Sequence, residues 1–283
     1  MKTLAAGLSM ALALTCVDAQ AATVNIKVAV ASSFGKAAND LAAAFQAYYA
    51  TFGLTYTVSL TIASAQSLES SIISAGASTP YDLLLSSSKK EPKDLVDNYP
   101  SLIVGTPFKY AKDFLALYSK SVDIHSGLPY PLTTNFLIPD PTTDVYGEAA
   151  AEVLSSAPWY INSATIPTGY VFTAPTVGSA FTGVDRGYYS YGFVAKSQIC
   201  SLASDGTQTY PPGSYHHIYK PNDVDHPSDK LILKGIKIAH SRTADQETEL
   251  SNFIAFLTGV ADSNGNTTAI GTGVIEGHCF KSF

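Results

Sequence analysis

Three short serine-bearing turns offer most of the chemistry in this sequence: Ser32-Ser33, Ser64-Ala65 and Ser86-Ser87-Ser88. Each follows a run that reads as a buried strand, and each precedes a helical or helix-like run. A helix start leaves four backbone N–H groups unpaired and carries partial positive charge. Hydroxyls beside such groups can hold an anion without any Lys or Arg. A single serine at such a place is an ordinary N-cap. Repetition of the arrangement after consecutive strands points instead to one site made of hydroxyls and amides.

Other chemistries find less support. His216, His217, His226, His240 and His278 fall in the last third, but no pair has a recognised metal-ligand spacing. Asp262-Ser-Asn-Gly-Asn-Thr-Thr lacks the closing Glu of a calcium loop and reads as a turn. There is no G-x-S-x-G, no P-loop and no G-x-G-x-x-G. No catalytic residue, metal ligand or cofactor is therefore expected. Tyr188, Tyr189 and Tyr191 are read as core or surface packing.

The elements that would carry the serine turns alternate strand and helix. Val24 to Ala31 reads as a parallel buried strand. A helix follows, with Leu41, Phe45, Tyr48, Tyr49 and Phe52 on one face and Gly53 stopping it. Tyr56 to Ile62 is a second strand, a helix carries Leu68, Ile72 and Ala75, and Tyr81 to Leu85 is a third strand. This order implies a parallel sheet flanked by helices. Strands at 114–118, 136–141 and 191–195 repeat the alternation, with helices at 146–154 and around Val177, Phe181 and Val184. Residues 204–230 read as an irregular loop. Leu231 to His240 is a strand, and Thr243 N-caps a helix to Leu257, with Gln246 three residues on. Crossovers near 109–116 and 216–230 make the first unit discontinuous: 22–110 with 222–283 form lobe one, and 111–221 form lobe two.

The 283-residue chain has a net charge of −6 and only 14% charged residues. That leaves no footprint for nucleic acid. Residues 1–21 have the parts of a secretory signal peptide: Lys2, an apolar run from Leu4 to Leu14, and the small residues Ala19 and Ala21. Cys16 follows Thr15 rather than a small residue, which favours cleavage over lipidation. Export would leave Cys200 and Cys279 in an oxidising compartment, as a disulfide or as two separate thiols.

The motif Val28-Ala-Val-Ala-Ser-Ser-Phe resembles the opening of the periplasmic molybdate-binding proteins. The resemblance continues through Ala63-Ser-Ala-Gln-Ser-Leu-Glu, Tyr81-Asp-Leu-Leu-Leu-Ser-Ser, Pro139-Asp-Pro-Thr-Thr-Asp-Val-Tyr-Gly, Tyr191-Gly-Phe-Val-Ala-Lys-Ser and Glu249-Leu-Ser-Asn-Phe-Ile-Ala-Phe-Leu. It implies an α/β, two-lobed type II periplasmic-binding fold of mixed, mainly parallel sheets, with the ligand cleft between the lobes. It further implies capture of a tetrahedral oxyanion such as molybdate or tungstate by neutral donors. The partner would be the membrane permease of an ABC importer, and the protein a periplasmic monomer.

The family positions fall on Ser33 with Ser32 beside it, on Ala65 with Ser64 beside it, and on the backbone at Tyr146 and Val177. The position of a frequent family tyrosine is Ala195 here. The hydroxyls missing at Ala65 and Ala195 leave room for a larger ligand or call for a substitute, for which Tyr146 is a candidate. Phosphate, sulfate, a phosphonate or an organic anion on the same fold stay open as alternatives. So does a secreted hydrolase or interaction protein.

Overall fold

The computed structural model describes residues 24–220 and 231–283; the expected signal peptide and His226 lie outside the described residues. Twelve strands and eight α-helices are present among them.

The first sheet has the order β2-β1-β3-β12-β4. Its strands are β1 (Val24–Ala31), β2 (Tyr56–Ala63), β3 (Leu83–Ser86), β4 (Ile103–Lys112) and β12 (Ile232–Ile238). β1 pairs parallel with β2 and β3, while β12 runs antiparallel between β3 and β4. The parallel strands are joined by α1 (Gly35–Ala50) and α2 (Ala65–Ala75), and α3 (Lys90–Asn98) follows β3. The spacing of Leu41, Phe45 and Tyr49 puts all three on the buried face of α1, where Phe45 meets Tyr49, Tyr56, Phe253 and Phe256. Phe52 is a correction: the helix ends at Ala50, and Phe52 is 55% exposed beyond it.

The second sheet has the order β11-β5-β8-β6-β7. It contains β5 (Leu115–Ser119), β6 (Phe136–Pro139), β7 (Val171–Ala174), β8 (Tyr191–Ala195) and β11 (Tyr215–Tyr219). Here too a parallel core, β7-β6-β8, is extended by antiparallel strands. α4 (Val145–Ser155), α5 (Val177–Asp185) and α6 (Lys196–Ile199) accompany it. Within the expected loop at 204–230, β10 (Gln208–Thr209) pairs with β9 (Ser201–Leu202), and β11 lies along β5.

The chain passes from the first sheet to the second at Asp113-Phe114, between β4 and β5, and is in the first sheet again at β12. Asp113 N–H donates to Leu231 O at 3.0 Å, and Lys196 N–H donates to Phe114 O at 2.9 Å. The first crossover is therefore fastened to Leu231, just before β12, and to the second sheet.

The chain finishes on α7 (Ala244–Thr258) and α8 (Ile270–Gly277). Thr243 and Gln246 form the expected capping box of α7. α8 packs on α1. Cys279, just beyond α8, is disulfide-bonded to Cys200, just beyond α6, which resolves the open choice at these cysteines. Lys281 then pairs with Lys112 next to the first crossover. The disulfide therefore joins the helices of the first sheet to the elements of the second. No helix among the described residues is long and apolar enough to cross a membrane.

Candidate ligand-binding site

β1, β2 and β3 end at the same edge of the first sheet, and each ends in a serine turn. Ser32-Ser33-Phe34 form a single 3-10 turn before α1. Phe34 anchors that turn: it is fully buried and packs edge-on against Tyr110 and Phe280. Such pairs contribute about 0.5–1.5 kcal/mol each beyond their buried area. Ser64 caps α2, its Oγ accepting from Ser67 N–H at 3.2 Å. As an acceptor there, the Ser64 hydroxyl keeps its own proton for another partner. In the third turn the Ser86 and Ser88 hydroxyls both donate to Glu91 Oε2, at 2.7 and 2.6 Å.

The second sheet contributes the loop after β6. Asp140 Oδ1 accepts from Thr142 N–H and Oγ1, and Asp144 N–H donates back to Asp140 O. This brings α4 tight against the end of β6. A Cβ on Gly147 would come within 2.5 Å of the backbone of Pro139 and Asp140, so only glycine permits the approach. Asp144 caps α4, and its carboxylate also reaches the start of α5. Oδ1 accepts from Tyr146 N–H at 2.9 Å and Oδ2 from Val177 N–H at 2.8 Å.

These pieces meet at one small cavity of about 10 Å³. It is lined by Ser32, Ser33, Ser64, Ala65 and Ser87 from one side and Thr143, Asp144, Val145, Tyr146 and Val177 from the other, with Glu91 at its edge. All six residues singled out in the sequence (Ser32, Ser33, Ser64, Ala65, Tyr146 and Val177) lie around it. No Lys or Arg is among these lining residues. The starts of α2, α4 and α5 all reach the cavity, so helix ends direct partial positive charge at it. The Ser32–Phe34 turn packs against α5. Lys90 reaches Glu148 across the gap at 3.5 Å, so the two sides stand closed on each other.

Two features of the site escaped the sequence reading. The first is Asp144, a carboxylate on the two backbone donors assigned to an anion. Burial raises its pKa to about 6; the N–H groups of Val177, Tyr146 and Gly147 oppose the rise, and the charge of Glu91 adds to it. The second is Asp113 in the first crossover, 1% exposed. It accepts from Tyr146 Oη at 2.7 Å, Ser197 Oγ at 2.6 Å and Phe114 N–H at 2.7 Å. Burial lifts its pKa, and these hydrogen bonds pull against that. The Tyr146 phenol is raised well above its ordinary value, chiefly by burial. The expectation that Tyr146 offers its hydroxyl in place of the residue missing at Ala195 is corrected: that proton is given to Asp113. Ser33 Oγ, by contrast, is buried without a hydrogen-bond partner of good geometry, although it lies close enough to Tyr146 to temper that phenol's shift.

The histidines lie elsewhere. His216 and His217 sit on β11, His240 binds Asp82 at 2.7 Å and His278 binds Asp40 at 2.8 Å. Among the described residues no three His, Cys, Asp or Glu groups are placed to share a metal ion.

Comparison with known proteins follows the geometry. The family profile described as bacterial extracellular solute-binding protein matches residues 26–261. Among solved structures, the periplasmic molybdate-binding protein of Azotobacter vinelandii superposes with a TM-score of 0.67 at 19% identity, covering 90% of this chain and 98% of that one. The sulfate-binding protein SubI of Mycobacterium tuberculosis gives 0.56 at 12% identity, covering 89% and 91%. Iron-bound HitA of Pseudomonas aeruginosa gives 0.54 at 16%, covering 89% and 84%. No curated protein sequence matches the chain. At these identities the structural likeness establishes the architecture, two mixed α/β sheets flanked by helices, which is the type II periplasmic-binding fold.

Proposed function

The chain belongs to the bacterial extracellular solute-binding proteins, and from that premise we propose that it captures a small oxyanion between two lobes and presents it to an ABC-type permease. The lobes in this reading are residues 22–110 with 222–283, and 111–221. Residues 1–21 direct export to the periplasm, where the mature protein acts as a monomer and does no chemistry on its ligand. The observation that carries the reading is the meeting of Ser32, Ser33, Ser64, Ala65, Tyr146 and Val177 around one closed cavity fed by three helix starts. Hydroxyls and helix ends stabilise negative charge without a counter-ion. In the open form the same groups would face water. Closure exchanges that water for ligand oxygens, and the crossovers allow the lobes to turn as rigid bodies.

The test is thermal unfolding of the mature protein against molybdate, tungstate, sulfate, phosphate and methylphosphonate. A ligand bound only by the folded state stabilises by RT ln(1 + [L]/Kd), about 4 kcal/mol at a thousandfold excess over Kd. At least one of these anions is expected to raise the Tm by several degrees. A flat response to all five overturns oxyanion capture.

A further inference from the structure

We infer that Asp144 makes this cavity selective for an oxyanion that still carries a proton, of the hydrogen phosphate or phosphonate type, over fully ionised oxyanions such as sulfate and molybdate. The inference rests on the oxyanion-capture reading and names the ligand class within it.

The argument begins with hydrogen-bond capacity. The first-sheet side offers donors: the Ser33 hydroxyl has no partner of good geometry, the Ser64 hydroxyl keeps its proton, and α2 begins at Ala65. The second-sheet side differs. Its two backbone donors, Tyr146 N–H and Val177 N–H, each bind one oxygen of Asp144. The Gly147 N–H also acts on this carboxylate; an ionised carboxylate has about four lone-pair sites, so about one acceptor site remains on Asp144. A ligand that fits both sides accepts hydrogen bonds at one end and donates one at the other.

Charge points the same way. The titratable groups beside Asp144 at the cavity are Glu91 from α3 and Tyr146 from its own helix. Lys90, on α3, spends its ammonium on Glu148. With Asp144 ionised, a second full anion lacking a proton meets a carboxylate across a desolvated gap. A P–OH group turns that repulsion into an O–H···O⁻ hydrogen bond of the short, charge-assisted kind. Inorganic phosphate still holds such a proton near neutrality, because its last ionisation lies far above pH 7, and a phosphonate holds one in part; a phosphomonoester, losing its second at about pH 6, does not. Sulfate and molybdate hold none there. A cation is disfavoured, because three helices aim their positive ends at the same point.

The experiment compares wild type, Asp144→Asn and Asp144→Ser by thermal shift and calorimetric titration with phosphate, methylphosphonate, sulfate and molybdate at pH 7.5. Asn and Ser keep an N-cap for α4, and the unliganded Tm of each variant checks its folding. Wild type is expected to bind phosphate or methylphosphonate at least tenfold more tightly than sulfate or molybdate. Both variants lose that preference, by roughly ten- to a hundredfold in the ratio, the worth of a charged hydrogen bond. In wild type, sulfate binding strengthens as pH falls below about 6 and Asp144 takes up a proton, whereas Asp144→Asn shows no such gain. If wild type prefers sulfate or molybdate, or if the variants keep the wild-type ratio, the inference is overturned while anion capture stands. If none of the four ligands binds any form, the inference fails together with the capture reading.

Discussion

The two sides of the cavity are built from the same kind of part, a helix start after a strand, yet they are left in opposite states. On the first-sheet side, Ser33 Oγ has no hydrogen-bond partner of good geometry and Ser64 keeps a proton to give. On the second-sheet side the protein has consumed its own donors: Asp144 holds the N–H groups of Tyr146 and Val177, and Asp113 holds the Tyr146 phenol. One side therefore waits for ligand oxygens, while the other is rigid before any ligand arrives. A buried polar group costs about 1–3 kcal/mol when unmet. The open side bears that cost for the sake of binding, and the closed side avoids it.

The largest expected effect tests the closed side. Asp113→Ala leaves the Tyr146 and Ser197 hydroxyls and the Phe114 N–H without their acceptor inside the crossover. Urea denaturation should show a loss of about 3 kcal/mol or more, the range for buried donors left unsatisfied. Asp113→Asn, which keeps an acceptor, should lose less. If Asp113→Ala costs under about 1 kcal/mol, the second side is not locked through the crossover, and the contrast between the sides collapses.

A smaller effect separates rigidity of the sides from rigidity of the frame behind them. Cys200 and Cys279 are 79 residues apart and tie the elements of the two sheets together near the Lys112–Lys281 pairing. The paired substitution Cys200→Ser with Cys279→Ser should cost about 2–4 kcal/mol in thermal or urea unfolding. Reductant should produce the same loss in wild type and none in the variant. Ligand preference should be unchanged, because neither cysteine lines the cavity. A change in preference would move selectivity from the side chains at the cleft to the closure geometry.

The open side was also the more legible of the two in sequence. Ser32-Ser33 and Ser64-Ala65 follow strands of clear pattern and precede helices of clear period, so local rules place them. The roles of Tyr146 and Val177 come only from the family resemblance, because a backbone donor leaves no mark on residue type. The role of Asp144 was hidden for a different reason: it depends on contact with Val177, 33 positions away, and an Asp before a helix reads as a cap. Asp113 was hidden likewise, its partners lying on α4 and α6. Strand β11 was lost because Tyr215-His216-His217-Ile218-Tyr219 sits in a stretch rich in Pro, Gly and Asp, and its pairing with β5 spans almost a hundred residues. β4 was masked by Gly105 and Pro107 and by register shifts against β12.

The smallest expected change in stability, paired with a large one in binding, tests the open side. Ser33 Oγ makes no hydrogen bond of good geometry in the unliganded protein, so Ser33→Ala removes a group that contributes little to the fold and relieves its desolvation. The variant should unfold within about 0.5 kcal/mol of wild type, or slightly later. Binding of the anion identified by the panel should weaken roughly tenfold or more, since a hydrogen bond to a charged partner is lost. Unchanged binding would mean that the hydroxyl is idle and that the open side is carried by Ser64 and the start of α2. A large loss of stability would mean that Ser33 is structural, joined to Tyr146 and Asp113, and that the two sides form one network.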